Sequence, residues 1–106
     1  MALDLALGAL ADPTRRRLVR LVGERPRRAG ELAGEFPVSR PAVSKHLRVL
    51  RDAGLVEVEV RGRARVYRLA PDGIAEVRDW VEDTGRFWDS ALEAFRRHVE
   101  EREVRR

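Results

Sequence analysis

VSRPAVSKHLRVLRDAG, residues Val38 to Gly54, reads as one helix with both of its ends marked. Ser39 can cap the first turn by accepting a backbone N–H, Pro41 sits where the N–H is unpaired in any helix, and Gly54 supplies the left-handed residue that ends one. Arg40 precedes the proline and is pushed away from helical angles, which blurs the start by a residue. Val43, Leu47 and Leu50 recur at spacings of four and three, so at about 100° per residue they share one face, the buried one. Pro41, Ser44, Lys45 and Arg48 point the other way, with Arg40 near the exposed N-terminal tip. Such side chains suit phosphates and base edges, and the stretch therefore reads as a helix that docks on nucleic acid.

The neighbours on either side support this reading. Arg28 to Glu35, RAGELAGE, forms a short amphipathic helix with Ala29, Leu32 and Ala33 inward, and Glu35 to Val38 makes a turn. Two short helices joined so tightly cannot bury their apolar stripes separately. They cross and pack, which is helix-turn-helix geometry. After Gly54, residues Val56, Val58 and Val60 alternate with Glu57 and Glu59, Arg61-Gly62-Arg63 interrupts, and Ala64 to Leu69 resumes. A period of two around a glycine turn is a β-hairpin, here with Arg61 and Arg63 at its tip and Arg65 and Arg68 on the return strand. A recognition helix followed by a basic hairpin is a winged helix.

Charge concentrates in the same segment. Residues 40–68 hold Arg40, Lys45, Arg48, Arg51, Arg61, Arg63, Arg65 and Arg68 against Asp52, Glu57 and Glu59, a surplus of five, whereas the whole 106-residue chain carries +4. The remainder is thus slightly acidic, and the basic surface predicts a polyanionic partner. With no cysteine, disulfides, thiolate metal sites and thiol switches are excluded. Met1 to Ala11 is apolar and ends in Ala9-Leu10-Ala11, a cleavage-like pattern, but no cation precedes it and Asp4 interrupts it, so a signal peptide is not expected. No apolar run approaches the ~20 residues that span a bilayer, and a cytoplasmic protein without membrane contact is expected.

The flanks read as helices in need of cover. Residues 1–11 carry Leu3, Ala6 and Leu10 on one side, with Leu5 and Ala9 beside them. Asp12-Pro13 starts a second helix whose Leu18, Leu21 and Val22 face inward, while Arg15, Arg16 and Arg17 read as a solvated face. Glu24 to Arg27 reads as a connecting loop and Pro71-Asp72-Gly73 as a turn. From there Ile74, Val77, Val81, Thr84, Trp88, Ala91 and Phe95 step by threes and fours, flanked by Trp80, Phe87, Leu92 and Val99, with Gly85 a place to kink or split. This seam is too apolar to be left in water, and aromatics at helical spacing read as interface core rather than as a ligand pocket. A homodimer is expected, held by residues 1–11 and 72–103 through Leu3, Leu10, Val77, Trp80, Val81, Phe87, Trp88, Leu92 and Phe95. The charged tail from Glu100 to Arg106 is expected to fray.

ALADPTRRRLVRLV at Ala9 to Val22, and GELAGEFPVSRPAVSKHLRVLRDAGLVEVEVRGRARVYRL at Gly30 to Leu69, resemble the ArsR/SmtB family of bacterial winged-helix repressors, and within it the cysteine-free branch. The resemblance implies one domain over residues 1–106: a helix-turn-helix at 28–54, a wing at 55–69 and terminal dimerisation helices, mainly α with a small β-hairpin. It also implies repression of transcription from a palindromic operator. The DNA-binding residues expected are Ser39, Arg40, Pro41, Ser44, Lys45, Arg48, Arg61, Arg63 and Arg65. The alternative is a winged-helix module for protein or RNA without operator specificity, disfavoured because the exposed helix face offers no aromatic hot spot.

No enzymatic site emerges. Ser44, Lys45 and His46 are too close along a helix to face one another, and His46, at the edge of the apolar face, reads as a half-buried packing residue. Metal sensors of the resembling family place Asp-x-His and then His-x-x-Glu on the last helix. His98 and Glu101 match the second half, but Gly85 and Phe87 occupy the first, so no metal and no cofactor are expected. Double-stranded DNA and a second copy of the chain are the expected partners, with an effector or partner protein left open.

Overall fold

Helix α4, Arg40–Asp52, carries the core and both of its caps. In the computed structural model, which describes residues 2–104, the Ser39 hydroxyl accepts the Ala42 N–H at 3.2 Å. Ser39, not Arg40, holds the extended angles, and Arg40 is the first helical residue. The pre-proline preference yields there because the Ser39 cap and the Val43 N–H to Ser39 carbonyl bond at 3.1 Å close the first turn around Pro41. At the other end Gly54 lies at φ +77°, the Gly54 N–H reaches the Arg51 carbonyl, and the Leu55 N–H reaches the Leu50 carbonyl, both at 3.0 Å. This is the closure that a left-handed residue permits, and Leu50 and Leu55 pack together beneath it, fully buried.

Around α4 stand α1 (Ala2–Ala9), α2 (Pro13–Glu24) and α3 (Ala29–Gly34). The core is Leu18 and Val22 of α2, Leu32 of α3, Val43, Leu47 and Leu50 of α4, and Leu55, Val56 and Tyr67 beside them, with Ala6 and Ala9 of α1 completing it. Asp12 caps α2 by accepting the Arg15 N–H at 3.0 Å, ahead of Pro13. Of the arginines after it Arg16 and Arg17 are exposed and Arg15 is half-buried, and all three also make contacts within the chain. Arg15 Nε donates to the Ala9 carbonyl at 2.6 Å, Arg16 donates to the carbonyls of Leu10 and Ala11, and Arg17 lies over the Phe36 ring at 4.9 Å. The first two satisfy carbonyls left over where α1 ends, a use invisible until α2 folds back against it.

The hairpin is part of a three-stranded sheet. Strand β1, Arg27–Arg28, lies antiparallel to β3, Ala64–Leu69, which pairs on its other edge with β2, Val56–Arg61. Residues expected in a loop and at the start of α3 therefore form an edge strand, with Arg27 opposite Tyr67 and Arg28 opposite Val66. Two residues are too few to show a period. The β2 alternation also fails at its outer end: Val56 is buried, but Val60 is 65% exposed because the hairpin has by then left the core.

Helix α5 runs from Pro71 to Val104 without a break, 34 residues and so about 51 Å at 1.5 Å per residue. Pro71-Asp72-Gly73 is its first turn rather than a separate turn, Gly85 is absorbed, and the helix persists through most of the charged tail, Arg105 and Arg106 lying outside the described residues. A backbone relay joins it to α4. Leu55, bonded to Leu50, accepts the Ala70 N–H at 3.0 Å, and Ala70 accepts the Ile74 N–H at 3.1 Å. Gly73 fits here because a Cβ would collide with the Gly54 carbonyl. No described helix is long and apolar enough to cross a membrane.

Gly73→Ala is expected to lower unfolding stability by about 1 to 3 kcal/mol, since the obstacle is backbone and cannot swing aside. Gly34→Ala, with nothing within 4 Å of the added carbon, is expected to raise it by roughly 0.5 to 1 kcal/mol. Urea unfolding of the two variants at one protein concentration checks both signs.

Candidate nucleic-acid interface

Burial of Val43, Leu47 and Leu50 aims the opposite side of α4 outward, and Arg40, Pro41, Ser44, Lys45 and Arg48 are all exposed there. Ser39 is exposed too, its hydroxyl engaged by the cap. The Arg40 guanidinium leans towards α3, and a Cβ on Gly30 would sit 3.4 Å from it. Gly62, at φ +60°, turns the hairpin so that Arg61 and Arg63 flank its tip.

Ion pairing divides the cations of this surface into two sets. Arg61 binds Glu59 at 3.1 Å, and Arg68 binds Glu57 at 3.1 Å with Glu59 at 3.8 Å. The hydrogen bond from Arg61 holds the Glu59 carboxyl below its ordinary pKa and raises that of Arg61 in turn. Arg40, Lys45, Arg48, Arg51, Arg63 and Arg65 have no carboxylate within ion-pair distance among the described residues. The expected site is thus brought onto one surface, but Arg61 enters it already neutralised.

Arg51 is the residue that sequence reasoning left out of the site. It lines a cleft of about 300 Å³ between α4 and β3 together with Ser44, Arg48, Arg65 and Tyr67. Its spacing of three from Arg48 was the available signal. His46 is half-buried, with Nδ1 3.4 Å from an Arg15 Nη1. Close by, the Asp12 carboxyl is held below its usual range, chiefly by the Arg15 backbone N–H. His98 is exposed on α5, and among the described residues no group of three or more His, Asp or Glu side chains gathers as a metal site would require.

Of the residues expected between subunits, Leu10 and Val77 pack partly against the core of their own chain and Leu3 is half-buried. Trp80, Val81, Phe87, Trp88, Leu92 and Phe95 are exposed, Trp88 at 56% and Phe95 at 65%, and Phe87 meets Trp88 edge-on with ring centroids 5.4 Å apart.

Residues 10–59 match a family described as a helix-turn-helix domain. The HTH-type transcriptional regulator Rv2034 of Mycobacterium tuberculosis is 49% identical over 92 residues, 87% of this chain and 83% of that protein. An ArsR-like transcriptional regulator from Rhodococcus sp. RHA1 superposes with a TM-score of 0.72 at 35% identity, covering 89% of each chain. The chain belongs to the ArsR/SmtB family of winged-helix transcriptional regulators. The transcriptional repressor SdpR of Bacillus subtilis is 30% identical over 73 residues, 69% of this chain and 81% of that protein.

Because Arg61 is compensated by Glu59 and Arg63 is not, Arg63→Ala is expected to weaken duplex binding several-fold more than Arg61→Ala. Fluorescence anisotropy on one duplex at one salt concentration tests the ranking.

Proposed function

We propose that the chain is a homodimeric repressor that reads a palindromic operator through the major groove, acting in the cytoplasm and by binding rather than catalysis. The observation that carries this is the gathering of Arg40, Lys45, Arg48, Arg51, Arg63 and Arg65, none with a carboxylate within ion-pair distance among the described residues, on the outer face of α4 and the wing, while most of the exposed large apolar side chains lie on α5. Arg40 and Lys45, the chain's single lysine, are assigned to base edges, Ser44 and Arg48 to bases or phosphate, and Arg63 to the minor groove or its backbone. Ser39 and Pro41 hold the tip of the helix in place. Two such helices related by a dyad would enter successive major grooves about 34 Å apart.

The second copy is argued from cover. Aromatics bury roughly 150 to 250 Å² each at about 25 cal/mol per Å², so the exposed rings of α5 represent several kcal/mol that one protomer leaves unused. Against a domain stability of about 5 to 15 kcal/mol that is a large share. The α5 face and the neighbouring Leu5 of α1, also exposed, are assigned to the dimer.

Selection from a random duplex pool is expected to return an inverted repeat. On that site Arg40→Ala or Lys45→Ala should cost about 1 to 3 kcal/mol and relax sequence preference. Equal losses on cognate and random DNA would remove these residues from base reading. Trp88→Ala or Phe95→Ala should make the melting temperature depend more steeply on protein concentration. A stable folded wild-type monomer in sedimentation at micromolar concentration would refute the dimer.

A further inference from the structure

The cleft between α4 and the wing has a chemistry of its own. Ser44, Arg48 and Arg51 follow one another at spacings of four and three and so form a stripe along one flank of α4. Across from them stand Arg65 and Tyr67, two apart on β3 and hence on the same face of the sheet. Tyr67 is only 6% exposed, and its hydroxyl makes no hydrogen bond with any described residue.

Strand register explains why the arginines lack counter-charges. Glu57 pairs across from Arg68, Glu59 from Val66 and Arg61 from Ala64, so these side chains occupy one face. Arg65 and Tyr67 pair across from Val60 and Val58 and occupy the other. The pleat thus holds both wing carboxylates on the face away from the cleft, where they are consumed by Arg61 and Arg68. Among the described residues no carboxylate lines the cleft. Arg48, Arg51 and Arg65 line the cleft without a counter-charge among the described residues, and an occupant bearing several acceptor oxygens would supply one. The planar guanidinium fork matches phosphate oxygens, and the two hydroxyls can donate to the same group.

We propose that this cleft is a binding site for a phosphoryl group, held by Arg48, Arg51 and Arg65 with the Ser44 and Tyr67 hydroxyls. The group comes either from the duplex backbone or from a free phosphorylated small molecule, and the two exclude each other. Only the duplex source rests on the operator-binding reading, because the cleft itself is defined without DNA.

The probe is inorganic phosphate, titrated into the wild-type protein by calorimetry and by thermal melting, with chloride at matched ionic strength as the reference. Saturable binding is expected, weakened about 10-fold or more in Arg51→Gln, in line with the loss of a charge-assisted hydrogen bond. Arg65→Gln on the opposite wall should do the same, and Arg51→Lys should retain part of the affinity. Arg51 is exposed and pairs with no carboxylate among the described residues, so melting of the variants in chloride should match the wild type. Equal behaviour of the wild type in phosphate and chloride, or phosphate binding untouched in both glutamine variants, overturns the site.

The source is decided on duplex with single backbone phosphates replaced by neutral methylphosphonates. One position whose replacement weakens the wild type but not Arg51→Gln supports the duplex backbone. There Arg51→Gln should also lower the slope of log affinity against log salt by about 0.9. Phosphate binding without such a position supports the free phosphorylated ligand and overturns the duplex source. A wild type that binds phosphate but no duplex at any salt defeats the operator reading alone.

Discussion

The end of α4 at Gly54 is the junction on which the rest of the structure depends. Its left-handed backbone turns the chain so that Leu55 can bond back to Leu50 and forward to Ala70, which in turn accepts from the first turn of α5. Gly73 lets the two backbones meet without an intervening carbon. The orientation of α4 is thereby tied to that of α5, the longest described helix, through main-chain bonds. Those are less easily rearranged than side-chain contacts, since each buried N–H or C=O needs a partner.

From that junction the molecule separates its surfaces by chemistry. Around α4 the apolar stripe faces Leu18, Leu32 and Val22, and the polar stripe faces outward. In the wing the period of two sends the Glu57 and Glu59 pairs with arginine to one side and Arg65 to the other. The same residue type therefore serves three ends. Arg15 and Arg16 satisfy carbonyls at the end of α1, Arg61 and Arg68 are held by carboxylates, and the cations of α4 remain uncommitted. An arginine with a partner contributes little to binding an external anion, because its field is already compensated.

Helix α5 stands apart from the globule, and the molecule measures 71 × 29 × 23 Å. None of its residues is fully buried; near its start Ile74 and Val77 pack against the core, and α1 lies against it. Beyond them, pairs such as Arg96 with Glu100 line the exposed surface, each worth only a few tenths of a kcal/mol. Such pairs do not compensate an apolar stripe in water, and a second copy on the Trp88 face is the occupant proposed for it.

The sequence by itself determined what depends on neighbours along the chain. Both caps of α4, its buried stripe, the Asp12-Pro13 start of α2 and the hairpin turn at Gly62 follow from local hydrogen bonds and fixed periods. The exposed cations of α4 follow from the same wheel, which is why most of the candidate site could be named. Only the tertiary structure decided what depends on a distant partner. Arg27 and Arg28 become a strand because β3 offers a free edge. Arg15 and Arg16 become caps because α1 ends beside them, and Arg51 joins the candidate site because it shares a cleft with Arg65 and Tyr67 of β3. Gly73 is required in the first turn of α5 because the Gly54 carbonyl fills the space a side chain would need. Local chemistry has a period or a motif that can be read along the chain, whereas a contact between segments far apart leaves no mark at either one.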